Sequence, residues 1–157
     1  MSQESYEKWY PVETVPECLC GVSLITRKDN TLVIICHSNK AYKADILLKF
    51  ESVHVYQVPE ESAHPWMDHQ SPHPTGEDSI FTFPFLKVNE SIWLSSLSEI
   101  RLLGLLNKRL PLQIVALDYC IDILCHDYPQ ASIVNQKAVE HLLDTLTIIE
   151  TLSANEG

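Results

Sequence analysis

The chain has 157 residues, 45% of them hydrophobic and 20% charged, and a net charge of −10 at neutral pH. That length fits one domain with a substantial core and excludes two of ordinary size, and the balance excludes wholesale disorder and the fibrous classes. The acidic excess argues against nucleic acid as a direct partner, because phosphate backbones need clustered Lys and Arg. It suits a basic protein partner, although net charge also serves solubility alone.

In chain order, Ser2 to Lys8 is polar and predicts a frayed end, whereas Trp9-Tyr10-Pro11 sets two aromatics beside a proline where the chain docks. Leu19 to Thr26 reads as the first strand, followed by a polar turn and by Thr31 to His37, which is apolar on both faces as a central strand requires. After a turn at Ser38-Asn39-Lys40, the segment Lys43 to Phe50 alternates. Ala44, Ile46, Leu48 and Phe50 share one face and Lys43, Asp45 and Lys49 the other, with Leu47 the exception. Glu51-Ser52 interrupts the pattern and predicts a bend or bulge before Val53 to Val58. The expected product is a meander of three or four strands.

Residues 59–78 then carry four prolines, five carboxylates and no Lys or Arg, which predicts a long acidic loop, functional or disordered. Trp66 in its middle either pins the loop to the body or is held out for a partner. Ser79 to Val88 resumes a strand pattern that Pro84 breaks or confines to an edge. Asn89 to Leu106 reads as a helix capped by Asn89 or Ser91, and Leu112 to Leu117 and Cys120 to Cys125 as two short strands. Over residues 135–153, Val139, Leu142, Leu143, Leu146, Ile149 and Leu152 form an apolar stripe on a helix capped by Asn135. Val134 and Val139 take the positions of a hydrophobic staple. The fold class is therefore α+β: a single domain over 1–157, mostly antiparallel sheet, with a middle helix and a C-terminal amphipathic helix packed on it.

Cys18, Cys20, Cys36, Cys120 and Cys125 are odd in number, form no CxxC pair and read as free, mostly buried thiols. The polar N-terminus lacks a signal peptide's apolar core and no apolar run reaches membrane-spanning length, so the expectation is a cytoplasmic protein with no membrane partner. His64, Asp68, His69 and His73 are capable metal ligands, but their spacing matches no zinc pattern, so no metal or other cofactor is expected. His37 and His54 fall on strands and read as partly exposed side chains rather than catalytic bases. Cys36-His37 and Cys125-His126 cannot act as nucleophile and base, because neighbours on a strand point to opposite faces. The carboxylates concentrate in two places. One is the loop, with Glu60, Glu61, Asp68, Glu77 and Asp78; the other is the C-terminal third, including Asp122 and Asp127. Together with Trp66 these are the candidate contacts for a basic partner.

Ile46, Leu48, Phe50, Glu51, Ser52, Val53, Tyr56 and Glu61 form a strand ending in Phe-acidic-Ser-Val, then a Tyr and an acidic residue. With Trp9-Tyr10-Pro11 and Pro16, Ser91 and Trp93-Leu94, and Tyr119, Ile121 to Leu124 and Pro129, this pattern resembles a family of small bacterial proteins. Many of that family resemble immunity proteins encoded beside polymorphic or contact-dependent toxins. The resemblance reaches Pro129 and implies a protein that is not an enzyme and that binds and neutralises a cognate toxin domain. With the acidic charge, the toxin is expected to be a basic nuclease. A metal-dependent hydrolase using the loop histidines and carboxylates, or a structural or regulatory subunit, are the alternatives.

Overall fold

The computed structural model describes residues 5–16, 18–27, 29, 31–38, 44–58, 83–98, 109–117 and 120–141. These residues form strands β1 (Ser5–Lys8), β2 (Gly21–Thr26), β3 (Leu32–His37), β4 (Ala44–Phe50), β5 (Val53–Gln57) and β6 (Phe85–Asn89), then helix α1 (Ile92–Ser98). Strands β7 (Leu110–Val115), β8 (Cys120–Cys125) and β9 (Gln130–Asn135) follow. A second helix, α2, starts at residue 136 and is described to residue 141.

The strands make two antiparallel sheets, one ordered β1-β6-β7-β8-β5 and the other β2-β3-β4-β9. Strands β2, β3 and β4 are the meander that the alternation predicts, with Ile34 opposite Leu48 and Cys36 opposite Ile46. The meander stops there. Glu51 and Ser52 are exposed, and the chain crosses through them to the far edge of the other sheet, where β5 pairs with β8 across a register shift between Val53 and Val55. One cluster of buried side chains joins the sheets. Leu32, Ile34, Cys36, Ile46, Leu48 and Phe50 come from one, and Phe85, Leu112, Ile114, Ile121, Ile123 and Cys125 from the other, with Trp9 and Leu19 added from the N-terminal segment. Burying each large side chain of this kind removes apolar surface worth roughly 1.5–3 kcal/mol. The fold is α+β and mostly antiparallel sheet, and among the described residues the second sheet packs against the first across the core.

Ser5–Lys8 is not a frayed end. It lacks apolar alternation, but pairs with β6, and Glu7 faces Lys87 with an ion pair of 3.8 Å. β9 also lies outside the predicted strands, because its polar sequence marks it as the exposed edge beside β4. Of the predicted middle helix, Ile92–Ser98 is helical and residues 99–108 lie outside the described residues. Ser91 is its cap: its Oγ accepts the Leu94 N–H at 3.1 Å, and its carbonyl accepts the Ser95 N–H at 3.0 Å. Asn135 caps α2 as expected, accepting the Lys137 N–H at 2.8 Å. Val139 is buried, whereas the rest of the apolar stripe, from Leu142 on, lies outside the described residues.

Candidate functional site

Two features stand out on the described surface, one polar and one aromatic. The polar one follows from the register of the meander. Gly21 lies opposite His37 and Cys36 opposite Ile46, so the next position pairs His37 with Asp45, and Ser23, His37 and Asp45 share the face turned away from the core. His37 Nδ1 is 2.9 Å from Asp45 Oδ2, and His37 Nε2 is 2.7 Å from Ser23 Oγ. The other Asp45 oxygen accepts the Ser38 N–H and the Gln136 Nε2 amide, each at 3.1 Å. A carboxylate accepts only, so Nδ1–H donates to Asp45; in the neutral ring Nε2 is then the acceptor, and the Ser23 hydroxyl donates to it. Asp45 is 4% exposed at its side chain and His37 27%, so the buried end of the chain is fixed and the other end reaches solvent. The residue spacing hid this relay. It forms only through the register of the β3–β4 hairpin, which brings His37 opposite Asp45.

The aromatic feature gathers where β1 ends. Trp9 is buried, packs edge-on to Phe85 at 5.4 Å and lies 5.4 Å from Tyr128. Tyr10 lies 5.2 Å from Phe83, whose ring also carries Lys8 Nζ at 5.2 Å. Tyr10 is 63% exposed and Tyr128 52%, so each presents a large rigid ring to solvent from an anchored base. Trp9-Tyr10-Pro11 thus docks as its composition predicts.

Of the predicted contact residues, Asp127 is at the surface, with its side chain 86% exposed, next to Tyr128 in sequence and 3.3 Å from His126 Nδ1. Asp122 is not part of an exposed acidic face: it is 8% exposed and accepts the amides of Gln57 and Gln113, both at 2.9 Å. Residue alternation on β8 turns Ile121 and Ile123 to the core and Asp122 to the opposite, covered face. Glu60, Glu61, Trp66, Asp68, Glu77 and Asp78 lie outside the described residues, as do the loop histidines His64, His69 and His73. At the β5 edge, Thr26, Arg27, Thr31, Leu32 and residues Val53 to Tyr56 line a cleft of about 300 Å³. His54, in that cleft, has its pKa held below 6.5 by burial first and then by the charges of Arg109 and His126.

Burial pushes the Cys36 thiol up, with Asp45 adding to the effect, and pushes Cys125 up to about 12, with Asp127 adding. Cys120 is buried as well, whereas Cys18 is partly buried and Cys20, at the bend before β2, is exposed. Among the described residues no helix is long and apolar enough to cross a membrane. Comparison with protein-family models, with curated proteins and with solved structures finds no match for this chain.

Proposed function

We propose that this protein works by binding another protein, as an immunity protein that neutralises a cognate bacterial toxin domain. The observation that carries the reading is two exposed rings on anchored bases, Tyr128 against the buried Trp9 and Tyr10 against Phe83, with the exposed side chain of Asp127 next to Tyr128 in sequence. Tyrosine and tryptophan supply large contact area at low conformational cost and dominate the energetic centres of protein interfaces. The net charge of −10 favours a basic partner, such as a nuclease domain whose Lys and Arg hold nucleic acid. The sequence resemblance supplies the toxin. By their charge, Glu60, Glu61 and Asp68 of the acidic loop are further candidate contacts for a basic partner.

The test is co-expression with the toxin domain encoded beside the gene. The expected result is restored growth and a stable complex, with Tyr10→Ala plus Tyr128→Ala, and separately Asp127→Lys, each weakening the complex at least about tenfold, or 1.4 kcal/mol. A folded wild-type protein that neither binds nor protects against the domains encoded by adjacent genes overturns the reading.

A further inference from the structure

The geometry points to Ser23 as an activated nucleophile toward small acyl esters, with His37 as its general base and Asp45 as the positioning residue. The inference goes beyond the binding reading and does not depend on it. The polarity of the relay is that of a serine hydrolase: Ser23 O–H donates to His37 Nε2 at 2.7 Å, and His37 Nδ1–H donates to Asp45 at 2.9 Å. A base within hydrogen-bond reach, itself oriented by a third group, is the requirement for an active serine. Asp45 is held in turn by the Ser38 N–H and by Gln136, which fixes the imidazole's tautomer and plane.

A second observation concerns space. Gly21 is two residues before Ser23, shares its face and lies opposite His37. A Cβ built at Gly21 meets nothing within 4 Å, so the strand offers an open shelf beside the hydroxyl and the imidazole. The shelf is short: Ile35, directly opposite Ser23 on the same face, is fully buried, so the room beside the hydroxyl suits small acyl groups and activated esters. A third observation concerns the oxyanion. The Arg27 N–H bonds the Thr31 carbonyl, and antiparallel alternation from that pair turns the N–H groups of Val22 and Leu24 away from β3. Among the described residues β2 has no strand on its other side, so the Leu24 N–H, directly after Ser23, is available to a developing negative oxygen.

In the reaction, Ser23 Oγ bonds to the ester carbonyl carbon as its proton passes to His37 Nε2. The tetrahedral oxyanion collapses, the ester C–O bond breaks, and His37 gives the proton to the departing alkoxide. Water then adds to the acyl-Ser23 carbonyl, losing a proton to His37, which returns it to Ser23 Oγ as the carboxylic acid leaves.

The full-length protein is treated with a small alkyl fluorophosphonate and, separately, with p-nitrophenyl acetate, and intact mass and peptide mapping locate the adduct. The expected result is a single adduct on Ser23, absent in Ser23→Ala. His37→Gln should slow labelling by at least about 100-fold. Gly21→Val should block a bulky fluorophosphonate more than a methyl one. Asp45→Asn should slow labelling of whatever fraction folds, a readout that a merely structural carboxylate would not move. The wild-type arm needs no substitution to fold. Folded wild-type protein with no adduct on Ser23, or labelling at an unchanged rate in folded His37→Gln, overturns the proposal.

Discussion

Asp122 on β8 stands directly opposite Gln113 on β7 and takes its amide proton at 2.9 Å, while its second oxygen takes that of Gln57 from β5 on the other side. One carboxylate therefore stitches three neighbouring strands on the face away from the core. Asp122→Ala leaves amides without their acceptor, at a cost of about 1–3 kcal/mol for each that stays buried. Asp122→Asn keeps the shape but opposes one amide with another, so its loss should be smaller than that of the alanine variant. Urea denaturation measures both, and a loss below about 0.5 kcal/mol for Asp122→Ala, typical of surface sites, would contradict this role.

Phe50 and Ile123 reach the shared core from opposite sheets. Phe50→Ala should cost about 3–5 kcal/mol and Ile123→Ala about 2–5 kcal/mol. Ile133, on edge strand β9, is 61% exposed, and Ile133→Ala should stay within about 0.5 kcal/mol. Comparable losses at Ile123 and Ile133 in chemical denaturation would refute the placement of the core.

The alternation of Ala44 to Phe50 was enough to read β4, its inward face and the hairpin with β3, because burial on one side writes a period of two into the sequence. Cys120–Cys125 was legible as a strand, yet its full burial hid which face Asp122 takes. β1 and β9 were illegible for a different reason. An edge strand exposes its side chains, so SYEK and QASIVN carry little apolar signal, and their pairing partners lie far along the chain. The crossing at Glu51-Ser52 was legible as an interruption but not as a change of sheet. In the candidate site, Trp9-Tyr10 and Asp127 could be read from composition. The relay could not, since Ser23, His37 and Asp45 meet only through register.

The thiols should divide by reactivity. Only the thiolate reacts, and burial keeps Cys36 and Cys125 protonated while Cys120 is sterically closed. Treating native protein with excess maleimide at neutral pH should modify Cys20 first and Cys18 next, leaving the other three for the unfolded chain. Peptide mapping reads the order. Cys36 or Cys125 reacting at the rate of Cys20 would show that the core opens.

Glu90 has φ of 55°, immediately before the helix cap Ser91. A left-handed conformation costs an ordinary residue roughly 1–2 kcal/mol, which glycine avoids, though glycine gives back part of the gain through the unfolded chain. Glu90→Gly should therefore raise stability modestly, by about 0.5–1 kcal/mol. Ser91→Ala should lower it by about 1 kcal/mol by removing the acceptor for the Leu94 N–H. Thermal melts of the two variants should move in opposite directions, and a shift of both the same way would count against this reading of the turn.

His54 gives stability a pH dependence whose sign can be worked out. Burial first, then the positive charges of Arg109 and His126, disfavour its protonated form, so its pKa in the folded protein lies below 6.5. On acidification the unfolded chain takes up this proton before the folded one does. Stability rises with pH wherever the unfolded state binds more protons, so this histidine costs nothing well above pH 6.5 and destabilises progressively as pH falls through 6.5 towards the lowered value. His54→Gln removes that component without adding a charge. Urea midpoints at pH 7.5 and 5.5 should fall less between the two conditions in His54→Gln than in the wild type. Arg109→Gln should shift the effect the same way, by relieving one of the two opposing charges. A fall that is equal or larger in His54→Gln would mean that His54 gains its proton as readily in the folded cleft as in the open chain.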